Sequence, residues 1–559
     1  MQPVVKLTRG LSSPAILIVA VWCATLTSVA IGPIDFPSQP STPVLVLVAT
    51  GLTLFVLAHW AGARWFGIWL RNRPQISTPS NSILNAAIVA TSLAGLGGIA
   101  LLAFDRAVLS GASGGYAELL RCAPELVDFI EIKRTPLLYL GYLTFSFGYV
   151  SLGLFLLRGE EIRGLTAILA QLSILSPVGY AVLYSGRMPI LFIIVLIVAA
   201  VLVRIGQGRR PLPRGHHLLV KMVVVFLLFA AYSSSMWASR QAFCVQMSGL
   251  IRELQVRMNE RDLARTPVPQ STPAELKPES PPDLRQPEPD NGAAGDAGRK
   301  AEAGAPAPST DGQPQLAPAP PPRSADSISA ADLSNKVGET NALPGGGYQV
   351  HSATAAALLA TMQEAWHVQP REYVLSAIES GRLLPDTARS VLSTYFYLIH
   401  GVRMLDQTWH ARAQFTRHWG VYEIGVLSPI LRVFFPQNQL LASMSAQLRS
   451  AGVYGFFPTV WAAAYIDFGA AGAVIYILIW GFAAGWSAFG TRHSALALPP
   501  LLLTFILASI LLSPVQGPLG IANSALVLVS MVIVGLAIDL GGTRLGRTRL
   551  LDLYRPQSS

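Results

Sequence analysis

Apolar runs of about twenty residues, separated by short basic clusters, recur along most of this chain, and they constrain its fold more than any other feature. A helix crossing a ~30 Å hydrocarbon core needs about 20 such residues. Ten runs approach that length, at 14–32, 43–63, 83–103, 136–157, 164–184, 188–203, 218–238, 469–489, 496–513 and 521–540. Those at 188–203 and 496–513 are the short ones. Hydrophobic residues make up 52% of the 559 positions and charged residues 13%. That is about half the usual charge of a soluble domain, too little to cover a water-facing surface. The expected fold is an all-α polytopic membrane protein with about ten transmembrane helices.

Orientation follows from the bias of Lys and Arg toward cytoplasmic loops. With the N-terminus inside, Arg64, Arg71, Arg158, Arg163, Arg492 and the clusters within 204–214 and 544–555 fall on one side. The short loops 33–42 and 514–520 on the other side carry no Lys or Arg. Both termini are therefore expected in the cytoplasm. The net charge of +10 then reads as a topology signal. Nucleic-acid binding would instead gather basic residues on one face with stacking aromatics. The first run also fits a signal peptide, with Lys6 and Arg9 ahead of it and Ser28-Val29-Ala30 as a cleavage site. Its length suits a span equally well.

The expected organisation is a membrane domain of about seven spans (1–238), a helix extension (239–261), an insert (262–346), a helical loop (347–468), a second membrane domain of about three spans (469–543) and a cytoplasmic tail (544–559). The insert holds 16 of the 40 prolines and cannot bury enough apolar surface to offset its ordering entropy, so disorder is expected there. Runs such as Ala355–Trp366 and Arg389–Leu405 have helical periodicity. Of the three cysteines, Cys122 and Cys244 share the predicted outer side, where a bridge and two free thiols are both open; Cys23 lies in the first run.

No Walker loop, Cys-x-x-Cys or His-Glu-x-x-His signature is present, and no residue set calls for a metal or cofactor. The candidates are basic and titratable groups on the outer side. Arg187, in Tyr184-Ser-Gly-Arg, and Arg240 run against the positive-inside trend; snorkelling at the interface is the plain alternative. Arg403, His410 and Arg417 are spaced by seven, so on one helix they would drift only about 20° per step, with Asp406 a turn from both Arg403 and His410. Guanidiniums suit a diphosphate, and an imidazole or carboxylate suits proton removal from a hydroxyl. An ordinary solvated helix face is the alternative. Asp467, in Tyr465-Ile-Asp-Phe-Gly469, is expected to cap the following helix, with catalysis as its second reading.

The aromatic run ending in Tyr465-Ile-Asp467-Phe468-Gly469-x-x-Gly472 resembles the bacterial oligosaccharide repeat-unit polymerases, the Wzy-type O-antigen, capsule and exopolysaccharide polymerases. Ser185-Gly186-Arg187, Tyr395-x-Tyr397…Gly401 and the single large late loop fit the same pattern; the insert at 262–346 departs from it. The resemblance implies a metal-independent, GT-C-like membrane glycosyltransferase in the bacterial inner membrane, with its large loop periplasmic. Its partners would be undecaprenyl-diphosphate-linked oligosaccharide, membrane lipid, a chain-length regulator and a flippase, and no nucleic acid. Arg187, Arg240, Arg403 and Arg417 would bind diphosphate. His410, or else Asp406 or Asp467, would act as base. An O-antigen ligase on the same carrier is the nearest alternative, and a polysaccharide flippase or transporter the next. Transporters tend to show broken helices and midplane ionisable groups.

Overall fold

The computed structural model describes residues 10, 12–37, 39–71, 80–109, 135–184, 186, 188–213, 220, 223–224, 227–228, 231–232, 359–360, 362–363, 367–435, 440–453, 458–520 and 524–553. The insert 262–346, expected to be disordered, lies outside them, as do Cys122, Cys244 and the predicted helix extension 239–261. The elements in order are α1 (Pro14–Ile31), β1 (Ile34–Asp35), α2 (Thr42–Arg71), α3 (Asn81–Phe104) with a π-turn (Asp105–Leu109), α4 (Pro136–Phe145), α5 (Phe147–Arg158), α6 (Gly164–Leu172), α7 (Leu175–Leu183), α8 (Met188–Gly206), β2 (Gln369–Pro370), α9 (Glu372–Glu379), α10 (Pro385–His410), α11 (Leu427–Phe434), α12 (Leu440–Ser450), α13 (Val460–His493), α14 (Leu498–Leu512) and α15 (Ser524–Leu553).

Eight stretches among the described residues are long and apolar enough to cross a membrane, and they fall on eight of the ten predicted runs. The run at 218–238 lies mostly outside the described residues. The run at 496–513 becomes the 15-residue α14, about 22 Å long and too short to span alone. The last helix continues to Leu553, through part of the predicted tail. Local chemistry sets several starts. Prolines open α1, α4 and α10 in their first turns. The Thr135 and Thr459 hydroxyls accept the amides of Leu138 (3.3 Å) and Ala462 (3.4 Å).

Small residues let the helices touch backbone to backbone. A Cβ on Gly62 would strike the Phe482 carbonyl, and one on Gly485 would strike that of His59, which locks α2 along α13. Gly95 and Gly98 do the same for α3 against α4 and α5. At one end, Arg204 is 1% exposed, pairs with Glu160 at 2.5 Å and donates to the carbonyls of Leu157 and Arg210. Arg158 and Arg209 share Glu161 there. Asp539 accepts the amides of Ala497 and Leu498, capping α14. This is the basic face. The opposite end, the loop face, carries residues 28–41 and 367–435. β1 pairs antiparallel with β2 there, and the Tyr395 hydroxyl donates to the Ser28 carbonyl at 2.6 Å.

Two helix rulers locate the irregular backbone at 513–520. Trp22 donates its indole N–H to Ser513 Oγ at 3.0 Å; it lies nine residues, roughly 13 Å, from Ile31 at the loop-face end of α1. The Val460 amide donates to the Ser513 carbonyl at 3.1 Å, and Trp461 packs where a Gly51 side chain would stand. Gly51 is also nine residues, roughly 13 Å, from the start of α2. So α13 begins inside the helix layer, climbs to Gly469 and turns back. Gly469 is non-helical at φ 66°, ψ −173°. Phe55, one turn beyond Gly51, meets Trp480 on the second half edge-on, with centroids 4.9 Å apart. Irregular backbone at such depth needs protein around it or a cavity to line, and residues 512–518 are buried within the protein.

Candidate functional site

Two groups of polar side chains stand on the loop face. The first is carried by α10. Asp406 accepts from the Ser41 amide (3.1 Å) and hydroxyl (2.6 Å), which ties α10 to the start of α2. The other Asp406 oxygen is 3.6 Å from His410 Nδ1, and that nitrogen is 2.8 Å from the Asp406 carbonyl. A carbonyl only accepts, so Nδ1 is the donor in this contact, and the ring itself is exposed. His400 and His493 make the same contact to a carbonyl one turn back; the neighbouring carboxylate distinguishes His410. Arg403 donates to the His367 carbonyl at 3.0 Å. With Asp406, Val29, Phe36, Pro40 and Ile399 it lines a shallow cleft.

The second group surrounds the break in α13. The Asp467 carbonyl accepts the amides of His418 (3.1 Å) and Trp419 (3.0 Å), and its carboxylate accepts those of Tyr422 (3.0 Å) and Glu423 (2.5 Å). The turn 418–423 is thus wound around one aspartate. Trp419 and Gly420 adopt positive φ of 55° and 91° to do so, costly for a bulky residue, yet Trp419 stays 68% exposed. The Arg417 guanidinium lies 6.0 Å from the Trp419 ring centroid, with its Nε 3.7 Å from where a Gly469 Cβ would stand. Behind them, Glu423 is 1% exposed and accepts from the Tyr476 hydroxyl (2.5 Å) and the Leu519 amide (3.0 Å). Burial pushes its carboxyl up to about 8, against the pull of those two hydrogen bonds, and the Asp467 charge adds to the rise.

Two expectations change. The stretch 394–420 is not one helix. α10 stops at His410, a 3-10 turn follows at Arg412–Gln414, and Arg417 leaves the face of Arg403 and His410 for the α13 break. Asp467 does not cap the second half of α13; it sits in the first half and caps the 418–423 turn, because Gly469 rather than Asp467 is the non-helical residue. Arg187 and Arg240 lie outside the described residues. Arg403, Asp406 and His410 are brought together, as are Arg417 and Asp467. The two groups are bridged by the Trp409–Tyr465 ring pair.

Glu423 and Tyr476 were not anticipated. Glu423 carried a signal, a lone carboxylate in Trp419-Gly-Val-Tyr-Glu-Ile-Gly425, where apolar flanks point to burial. Tyr476 carried none, since only the turn at Gly469 brings it to the site. Chemically, Arg417 beside a restarting helix offers an anion site, His410 offers a base, and Glu423 holds a proton. No protein family, curated protein or solved structure matches this chain.

Proposed function

We propose that this protein polymerises lipid-linked oligosaccharide repeat units at the periplasmic face of a bacterial inner membrane. The observation that carries the reading is Arg417 at the Gly469 break. A helix restarting at Ala470 aims its first-turn amides and the positive end of its dipole toward that break, and a guanidinium stands over it at the boundary of the helix layer. A lipid diphosphate presents its headgroup at that boundary. Arg403 and the guanidiniums of Arg187 and Arg240 would serve the donor and acceptor carriers.

In the reaction, the acceptor sugar hydroxyl attacks the anomeric carbon of the growing chain. The bond from that carbon to the diphosphate oxygen breaks, and its electron pair leaves on undecaprenyl diphosphate. The hydroxyl proton passes to His410 Nε2, with Asp406 offsetting the imidazolium charge. Arg417 and Arg403 stabilise the departing diphosphate. Asp467 shapes the turn rather than removing the proton, since both its carboxylate oxygens already accept amides.

The test is elongation by the purified protein in a bilayer with lipid-linked repeat units. Wild type gives a ladder; Arg417→Ala, Arg403→Ala and His410→Ala each shorten it severely. Full-length polymer at wild-type yield from both arginine variants overturns the reading. In cells, a deletion strain leaves single repeat units on the surface, whereas loss of a ligase strands polymer on the carrier. One observation favours a second reading. A helix broken at Gly469 next to the buried Glu423 is the kind of site transporters use, and vesicles that move lipid-linked oligosaccharide without lengthening it would establish that.

A further inference from the structure

Glu423 joins three parts of the chain that the backbone alone does not connect. Its amide is held by Asp467 on the first half of α13. One carboxyl oxygen accepts from Tyr476 on the second half and from Leu519 in the irregular segment after α14. The other oxygen is buried with no hydrogen-bond partner among the described residues. It faces Gly517, where a Cβ would fall on the carboxyl group itself, and Gly520. An ionised oxygen in that position is unsolvated and unpaired, which is costly; a neutral acid avoids most of the penalty. The titratable groups around it are Asp467 and Tyr476 on α13 and Arg417, His418 and Tyr422 on its own turn; the segment 513–520 contributes none.

We propose that Glu423, as a neutral carboxylic acid, is a clasp that docks segment 513–520 onto both halves of α13 and so fixes the turn that carries Arg417. It is a positioning residue, acting through Tyr476, Leu519 and the Asp467-held turn. Ionisation places a charge against Gly517 and Gly520 and releases the segment. The clasp itself does not depend on what the site binds; only its consequence for Arg417 rests on the glycosyl-transfer reading.

The experiment places a single reporter thiol at Leu519→Cys, with Cys23, Cys122 and Cys244 replaced, in full-length protein in bilayer discs. Maleimide labelling is measured at pH 6 and pH 9.5 and normalised at each pH to the unfolded protein, which removes the thiol's own titration. The expected result is slow labelling at pH 6 and at least ~10-fold faster labelling at pH 9.5, where a group titrating near 8 is ionised. In the Glu423→Gln background, where the neutral amide keeps an accepting oxygen for Tyr476 and Leu519, labelling stays slow at both values. Glu423→Ala and Gly517→Ala label fast at both; the second opens the clasp while leaving every titratable group in place. A normalised rate equal at both pH values in wild type, or a Glu423→Gln background that follows wild type, overturns the clasp. Elongation is assayed on the same samples without the reporter. Absence of elongation everywhere, with the labelling pattern as expected, removes the glycosyl-transfer reading and leaves the clasp standing.

Discussion

At the residue scale, Asp467 and Glu423 show how one carboxylate serves shape and another stores a proton. Asp467 satisfies two buried amides with its side chain, and leaving a buried donor unpaired costs about 1–3 kcal/mol. Asp467→Ala is therefore expected to destabilise the protein by about 2–4 kcal/mol, and Asp467→Asn, which keeps one good acceptor, by about half that. Thermal unfolding in detergent measures both. Asp467→Ala should also abolish elongation, because Arg417 and Trp419 hang on the same turn. For Glu423 the sign is fixed by its raised value of about 8 against a reference of 4.5. The folded state holds the proton more tightly. The stabilisation is complete below about 4.5 and is lost as pH rises through about 8. The melting temperature of wild type should accordingly fall relative to Glu423→Gln across that window and run parallel to it above. Parallel curves across the whole window would remove the proton from this account.

At the scale of elements, α13 carries the architecture. A break with φ 66° and ψ −173° belongs to a region that only glycine occupies without strain. The space beside Gly469 is open, with Arg417 Nε at ordinary van der Waals distance from an added Cβ, so Gly469→Ala is penalised by backbone strain rather than collision. The expected loss is about 1–3 kcal/mol, with elongation reduced more than stability because the two halves re-aim. Gly485→Leu fails differently. Its side chain would enter the His59 carbonyl and pry α2 from α13, and little folded protein should survive extraction. Gly97→Ala, which meets nothing within 4 Å, is the neutral control.

Eight of the ten predicted spans were legible among the described residues, because a stretch of twenty apolar residues admits one solution in lipid. The break near Gly469 was legible in part, since an apolar run begins there and Asp467 was expected to cap it. The site was legible in fragments. Seven-residue spacing grouped Arg403, His410 and Arg417, but spacing describes one helix only as long as it continues, and α10 ends at His410. What brought Arg417 to Asp467 was a turn wound by backbone amides, and amides leave no mark in sequence. The inward start of α13, held to Ser513, escaped notice for a similar reason: a re-entrant half-helix is as apolar as a spanning one.

At the scale of the whole molecule, the two faces differ in chemistry, and that difference makes orientation testable. The basic face buries Arg204 against Glu160 and gathers Arg158 and Arg209 on Glu161. The loop face exposes Trp419 and His410 and carries Arg417. The bias of Lys and Arg toward the cytoplasm predicts the first face inside and the second outside. Single cysteines at exposed positions on each, with Cys23, Cys122 and Cys244 replaced, separate the two cases. Trp419→Cys should react with a membrane-impermeant maleimide on intact spheroplasts. Arg210→Cys and His493→Cys should react only after the membrane is opened. The reverse pattern would turn the molecule over. It would move the Arg417 break into the cytoplasm and would remove the reading of a periplasmic polymerase whatever the variants did. Labelling of Trp419→Cys also bears on the Gly469 site itself. The ring it replaces lies beside Arg417, so slower labelling in the presence of inorganic pyrophosphate would mark that arginine as the place where the anion binds.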